Sequence, residues 1–146
     1  MEHTARTLVD RPVSTVYNQW TQFETFPEFM GGVNRVEQLD EQTTRWDVEI
    51  AGVKRSFIAD IVEQEPDQRI RWVSRDEPAH EGEVSFRPNG AETEVALRMR
   101  FEPEGFVEKA GDSLGFVQHR VEDDLDRFKA FIEERPNATG SWRGTV

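Results

Sequence analysis

The chain has no cysteine, which excludes disulfides, thiolate chemistry and Cys-ligated metal and makes a cytoplasmic location the default expectation. No run approaches the 18 apolar residues a membrane-spanning helix needs. The opening MEHTARTLVD lacks the basic and apolar regions of a secretory leader, so export is not expected either. Positive charge is scarce: 18 Lys and Arg face 29 Asp and Glu, a net charge of -11. Such a surface repels phosphate backbones and anionic lipids. Neither nucleic acid nor membrane insertion is therefore expected, and the reading is a monomer or weak dimer with a solvated acidic face.

Histidine is limited to His3, His80 and His119, no two at metal-ligand spacing, so no metal site and no cofactor are expected. Glu122, Asp123 and Asp124 are read as solvent-facing on alternate sides of a helix. The MGGVN run, Met30 to Asn34, has neither the lysine nor the spacing of a phosphate loop. The letters GDSL, Gly111 to Leu114, match a serine-hydrolase nucleophile block. Only 32 residues follow Leu114, most of them one helix. His119, six residues after Ser113 and on the wet face, cannot orient that hydroxyl; Asp112 or Ser113 is read as a helix cap.

What is present is a chain of 146 residues, the length of one domain. Residues 2 to 9 read as a strand. Val13, Val16, Trp20 and Phe23 recur at spacings of 3, 4 and 3, an apolar stripe that places a first helix over about 13–22 after Pro12. Phe26, Phe29 and Met30 repeat that spacing over one turn, which Gly31 and Gly32 end. From Val33 to Phe101 the period drops to two, and turn residues divide the stretch into six antiparallel strands. The helical stripe returns with Leu114, Val117, Val121, Leu125, Phe128 and Ile132, a long helix running to about 134. On its wet side Asp123 is set to pair with Arg127. Residues 136–146 are expected to be a disordered tail.

Two hairpins specify which side chains face inward. An Asn89-Gly90 turn would pair Pro88 with Ala91, Arg87 with Glu92 and Val84 with Val95. The turn at Ala51-Gly52 pairs Lys54 with Glu49 outside and Phe57 with Trp46 inside, and turns Arg55 inward beside Val48. Asp60 is placed outward, near Arg71, unless a bulge reverses residues 57–62.

The segments DRPVSTVYNQWTQFETFPEFMGGV (Asp10–Val33) and VEDDLDRFKAFIEER (Val121–Arg135) resemble the opening and closing motifs of polyketide cyclase/dehydrase-type START-like domains, members of the SRPBCC superfamily. The resemblance covers roughly residues 3 to 135. It implies an α+β helix-grip fold over 1–135: a curved antiparallel sheet of about seven strands wrapped around the long C-terminal helix, with two short helices after the first strand. It also implies an internal cavity for a small hydrophobic ligand such as a lipid, a quinone or a polyketide-like aromatic. Fold alone does not name the activity.

The residues expected to line that cavity are Phe29 and Met30 at its lip; Trp46, Val48, Phe57, Trp72, Val84, Phe86, Leu97 and Met99 from the sheet; and Leu114, Val117 and Val121 from the long helix. Ser74 and His80 are the polar groups turned toward it. His80 and Arg55 are the catalytic candidates should the ligand be a substrate whose carbonyl needs polarising, as in an aromatase/cyclase or dehydratase. The resemblance places tyrosine and arginine in cyclase cavities, whereas the one tyrosine here, Tyr17, falls on the first helix. A protein-interaction domain using the lip as a docking patch is a further alternative.

Overall fold

Seven strands form one antiparallel sheet in the order β1-β7-β6-β5-β4-β3-β2. A computed structural model describes residues 2–50, 53–75, 80–101, 113–135 and 137–144, with the backbone alone for Glu2, Ile50, Val53, Phe101 and 113–118. The strands are β1 (Glu2–Val9), β2 (Val33–Asp40), β3 (Thr43–Ile50), β4 (Val53–Glu65), β5 (Arg69–Ser74), β6 (His80–Asn89) and β7 (Glu92–Phe101). Between β1 and β2 lie helix α1 (Val13–Trp20) and a 3-10 helix (Phe23–Glu28), and α2 (Ser113–Glu133) closes the chain. This is the α+β helix-grip arrangement. Among the described residues no helix is long and apolar enough to cross a membrane.

The period-two pattern works because one face of the sheet is buried and the other is wet. Trp46, Val48, Phe57, Ala59, Ile61, Ile70, Trp72, Val84, Phe86, Val95, Leu97 and Met99 all face the core. On the outer face charges alternate across strands, as in Arg98 to Glu83 at 3.0 Å and Arg71 to Glu81 at 2.5 Å. These exposed pairs contribute at most about 1 kcal/mol each; their larger effect is to keep the outer face in water.

Four expectations need correction. α1 ends at Trp20 and the next turn is a 3-10 helix, because Pro27 within it has no N–H to extend an α-helical ladder. The β6–β7 turn is Gly90-Ala91, pairing Asn89 with Glu92 and Val84 with Leu97. Gly90 has φ 65 and Ala91 does not have positive φ, so glycine takes the first turn position, as in a type II′ turn. The two-residue slip preserves which side chains face inward. Asp60 pairs with Arg75 at 2.8 Å, while Arg71 takes Glu81. In the long helix Arg127 pairs with Asp124, not Asp123.

In β4, Phe57, Ala59 and Ile61 are buried; a register shift between Ile61 and Glu63 then leaves Val62 exposed and turns Gln64 inward. The extra residue reverses the strand's phase, so the question left open at 57–62 resolves with odd positions inward. Ala51, Gly52 and Asp112 lie outside the described residues. The hairpin that joins β3 to β4 nevertheless has the expected register, Glu49 with Lys54 and Trp46 with Phe57.

Residues 137–144 form neither helix nor strand but are tied to α1 where the sequence suggests a disordered tail. The buried Gln19 amide donates to Thr139 Oγ1 at 3.0 Å and accepts the Thr139 N–H at 2.9 Å. Trp142 N–H donates to Thr21 Oγ1 at 3.1 Å, and Arg143 reaches Asp67 at 2.8 Å.

Candidate functional site

Strand alternation brings a set of aromatic rings onto the inner face near the start of β6. Trp46 on β3 stacks on Phe57 of β4 (5.9 Å between centroids, 12° between planes) and on Trp72 of β5 (5.8 Å, 23°). His80, at the start of β6, presents its ring edge-on to Phe57 at 5.1 Å, Trp46 at 5.5 Å and Trp72 at 6.4 Å. Gly82 faces the Trp72 indole so closely that any side chain there would overlap the ring; the missing Cβ is what lets the indole lie flat across β6. From the other side Phe26 closes on Trp46 at 5.6 Å and on Trp72 at 6.1 Å.

His80 is the polar group within this aromatic surround. Its main-chain N–H donates to Ser74 Oγ at 2.8 Å, which joins the end of β5 to the start of β6. The ring is buried, and exclusion from water pulls its pKa from the usual 6.5 down to about 3. At neutral pH it is an uncharged imidazole, able to donate from one nitrogen and accept at the other. Arg55 sits opposite Val48 in the inward phase, yet its guanidinium turns out and donates to Lys54 O at 2.8 Å.

Of the expected lining, Trp46, Phe57, Trp72, Ser74 and His80 come together here. Val48 adjoins them on β3, and Met99 lies opposite Gly82 on β7. Val84, Leu97 and Phe86 face inward but follow the sheet toward its other end, where Phe86 meets the edge of Tyr17 at 5.5 Å. Burial raises the Tyr17 pKa above its usual 10, against the opposing pull of Gln64 and Arg143. Phe29 is packed in the core, against Phe128 at 5.1 Å, Trp20 at 5.4 Å and Phe131 at 5.5 Å; Met30 follows it, also buried, at the diglycine corner. Val121 is buried on α2, whereas the side chains of Leu114 and Val117 lie outside the described residues.

Phe26 is core, as its helical spacing suggests, and there it bridges the two indoles. Two further residues escaped the sequence reading. His3 is buried on β1 opposite Met99, a position that the alternation of residues 2 to 9 could have revealed. Asp124, expected in solvent, is buried on α2 and accepts the Gly31 N–H at 2.9 Å. Burial raises its pKa from 3.8 to about 6, against the opposing pull of Gly31, Arg127 and Arg120.

Residues 9–130 match the family model described as polyketide cyclase / dehydrase and lipid transport. An uncharacterised 17.2 kDa protein from the melC2–rnhH intergenic region of Streptomyces lincolnensis is 50% identical over 137 residues, 92% of this chain and 91% of that one. A Deinococcus radiodurans protein of known crystal structure is 28% identical and superposes with a TM-score of 0.71, covering 89% of this chain and 95% of its own. The Zhui aromatase/cyclase of Streptomyces sp. R1128, 19% identical, shares the fold with a TM-score of 0.76 over 97% of this chain and 99% of its own.

Proposed function

Because the chain belongs to the polyketide cyclase / dehydrase and lipid transport family, we propose that it holds a small hydrophobic or amphipathic molecule against the inner face of its sheet, with Trp46, Phe57 and Trp72 supplying apolar area and His80 a hydrogen bond. The observation that carries this reading is the buried neutral imidazole set among stacked aromatic rings. Rings of this kind contribute about 25 cal/mol for each Å² of apolar area they bury against a ligand. An uncharged imidazole adds direction without the cost of desolvating an ion. A planar aromatic such as a quinone or polyketide-like phenol matches this chemistry, with its rings against the indoles and a hydroxyl or carbonyl at His80. The protein acts in the cytoplasm as a monomer or weak dimer, with no nucleic acid and no membrane insertion.

A polyketide cyclase or dehydratase activity is the second reading, favoured by the interior position of His80. An imidazole with a pKa near 3 is a weak base at neutral pH, so its part would be to hydrogen-bond a carbonyl rather than to remove a proton. The test is organic extraction of the purified protein with mass spectrometry, followed by melting with polyphenols, quinones and fatty acids. A ligand at 100 times its Kd stabilises by about 2.7 kcal/mol, and at least one aromatic class should do so. A protein that carries nothing extractable and melts unchanged throughout the panel is not a binder of such molecules.

A further inference from the structure

Met30, Gly31 and Gly32 form the corner that joins the 3-10 helix to β2, and α2 grips that corner through three side chains. Asp124 accepts the Gly31 N–H at 2.9 Å. Arg127 donates from Nε to Phe29 O at 3.0 Å and from Nη2 to Asp124 at 2.5 Å. Arg120 donates to Gly31 O. Gly32 is required by this fit, and Gly31 leaves room for the Arg127 guanidinium. A Cβ on Gly31 would lie 2.8 Å from Arg127 Nη2, and Gly32 has φ +87 with Glu49 O 3.0 Å from where its Cβ would stand. Gly32 O in turn accepts the Glu49 N–H at 2.7 Å, beside Val48 and three residues beyond Trp46 in β3. The corner therefore ties α2 to the β2–β3 edge of the sheet, next to the aromatic site.

We propose that Asp124, Arg120 and Arg127 form a proton-linked latch on this corner, which parts α2 from the β2–β3 edge to admit ligand and takes up a proton when it closes. The proposal rests on the ligand-binding reading above. Its physical basis is the asymmetry of the cluster. The carboxylate is only 12% exposed while the Arg127 side chain is 46% exposed, so closing the corner strips water from the anion more than from its partner. Burying a carboxylate is costly even when it is paired. Among the described residues, the charges acting on Asp124 are those of Arg127 and Arg120, on its own helix. The corner opposite presents peptide groups; Glu28 on the 3-10 helix is exposed, and Glu49 on β3 meets the corner through its main chain.

The direction follows from linkage. A carboxyl group whose pKa is higher when the corner is closed than when water reaches it favours closure as the pH falls. Acidification from pH 7.5 to 5 should tighten the latch, and neutral pH should loosen it. Asp124→Asn imitates the protonated group and should stay closed at either pH; Arg127→Gln removes a grip and should open the corner at both.

Two measurements on the full chain test this. The first is amide hydrogen exchange over residues 29–33, corrected for the intrinsic pH dependence of exchange. Protection should rise about tenfold between pH 7.5 and 5 in the wild type, stay high and flat in Asp124→Asn, and stay low in Arg127→Gln. The second is release of the neutral dye Nile red, which should slow on acidification in the wild type alone. Wild-type protection that does not change with pH, or an Asp124→Asn protein that keeps the wild-type slope, overturns the latch. If Nile red fails to bind while the exchange pattern holds, the latch stands and the ligand reading is what fails.

Discussion

Replacing His80 with glutamine should reverse the way the protein responds to mild acid. In the fold the imidazole is held neutral, with a pKa of about 3. In the unfolded chain it takes a proton near the ordinary 6.5. The unfolded state thus binds the proton first as pH falls, and the fold loses about 1.4 kcal/mol per pH unit below 6.5. From pH 6.5 to 4.5 that is about 3 kcal/mol. Asp124 works in the opposite sense: its pKa rises from 3.8 to about 6 on folding, so between pH 6 and 4.5 the fold gains about 2 kcal/mol. In the wild type these two terms largely cancel. His80→Gln removes the loss, leaves the Asp124 gain, and should make the protein about 2 kcal/mol more stable at pH 4.5 than at pH 7. Asp124→Asn removes the gain and should make it about 3 kcal/mol less stable over the same interval. Urea unfolding followed by far-UV circular dichroism at four pH values supplies both curves. A His80→Gln profile parallel to the wild type would mean that water or an acid reaches the ring, and the neutral-imidazole argument would fall.

Trp72→Ala should destabilise by about 3 to 5 kcal/mol, since the ring is 1% exposed and stacked on Trp46; a loss under 1 kcal/mol in urea unfolding would show that one face of the indole already meets solvent. Gly82→Ala places a methyl group within the Trp72 ring and should cost about 1 to 3 kcal/mol and alter the near-UV circular dichroism, and an unchanged spectrum would place the indole elsewhere. Ending the chain at Arg135 strips the buried Gln19 of both hydrogen bonds to Thr139 and should cost about 1 to 3 kcal/mol; an equally stable truncated protein would show that the terminal segment does not dock on α1.

The sheet and both main helices were legible because each element has one wet face, and alternation or a 3.6-residue stripe records that directly. Trp46 and Phe57 came into view together because the β3–β4 turn fixes their register, while Trp72 and His80 follow from alternation along β5 and β6. The β6–β7 turn shows the limit of such reasoning. Asn-Gly signals a tight turn, but whether glycine is its first or second residue depends on backbone twist, and only the two-residue period kept the inward set intact. Asp124 was hidden for a different reason. Neighbouring acidic residues on a helix look alike in sequence, and which one is buried depends on a corner 93 residues away. Phe29 was misplaced because a short apolar run beside two glycines can equally be lip or anchor. Its contacts with Phe128 and Phe131 are tertiary and leave no periodic trace. The docking of residues 137–144 rests on polar contacts to α1, which hydrophobic patterning does not register.

The central claim is that ligand rests on the indoles of Trp46 and Trp72. The chain has four tryptophans, so the side-chain N–H region of a ¹H–¹⁵N spectrum should hold four indole signals, assignable with single Trp→Phe variants. Titration with the aromatic compound that most raises the melting temperature should shift the Trp46 and Trp72 signals and leave Trp142, beside α1, in place. Movement of Trp142 alone, or of no indole while the melting temperature still rises, would contradict the account.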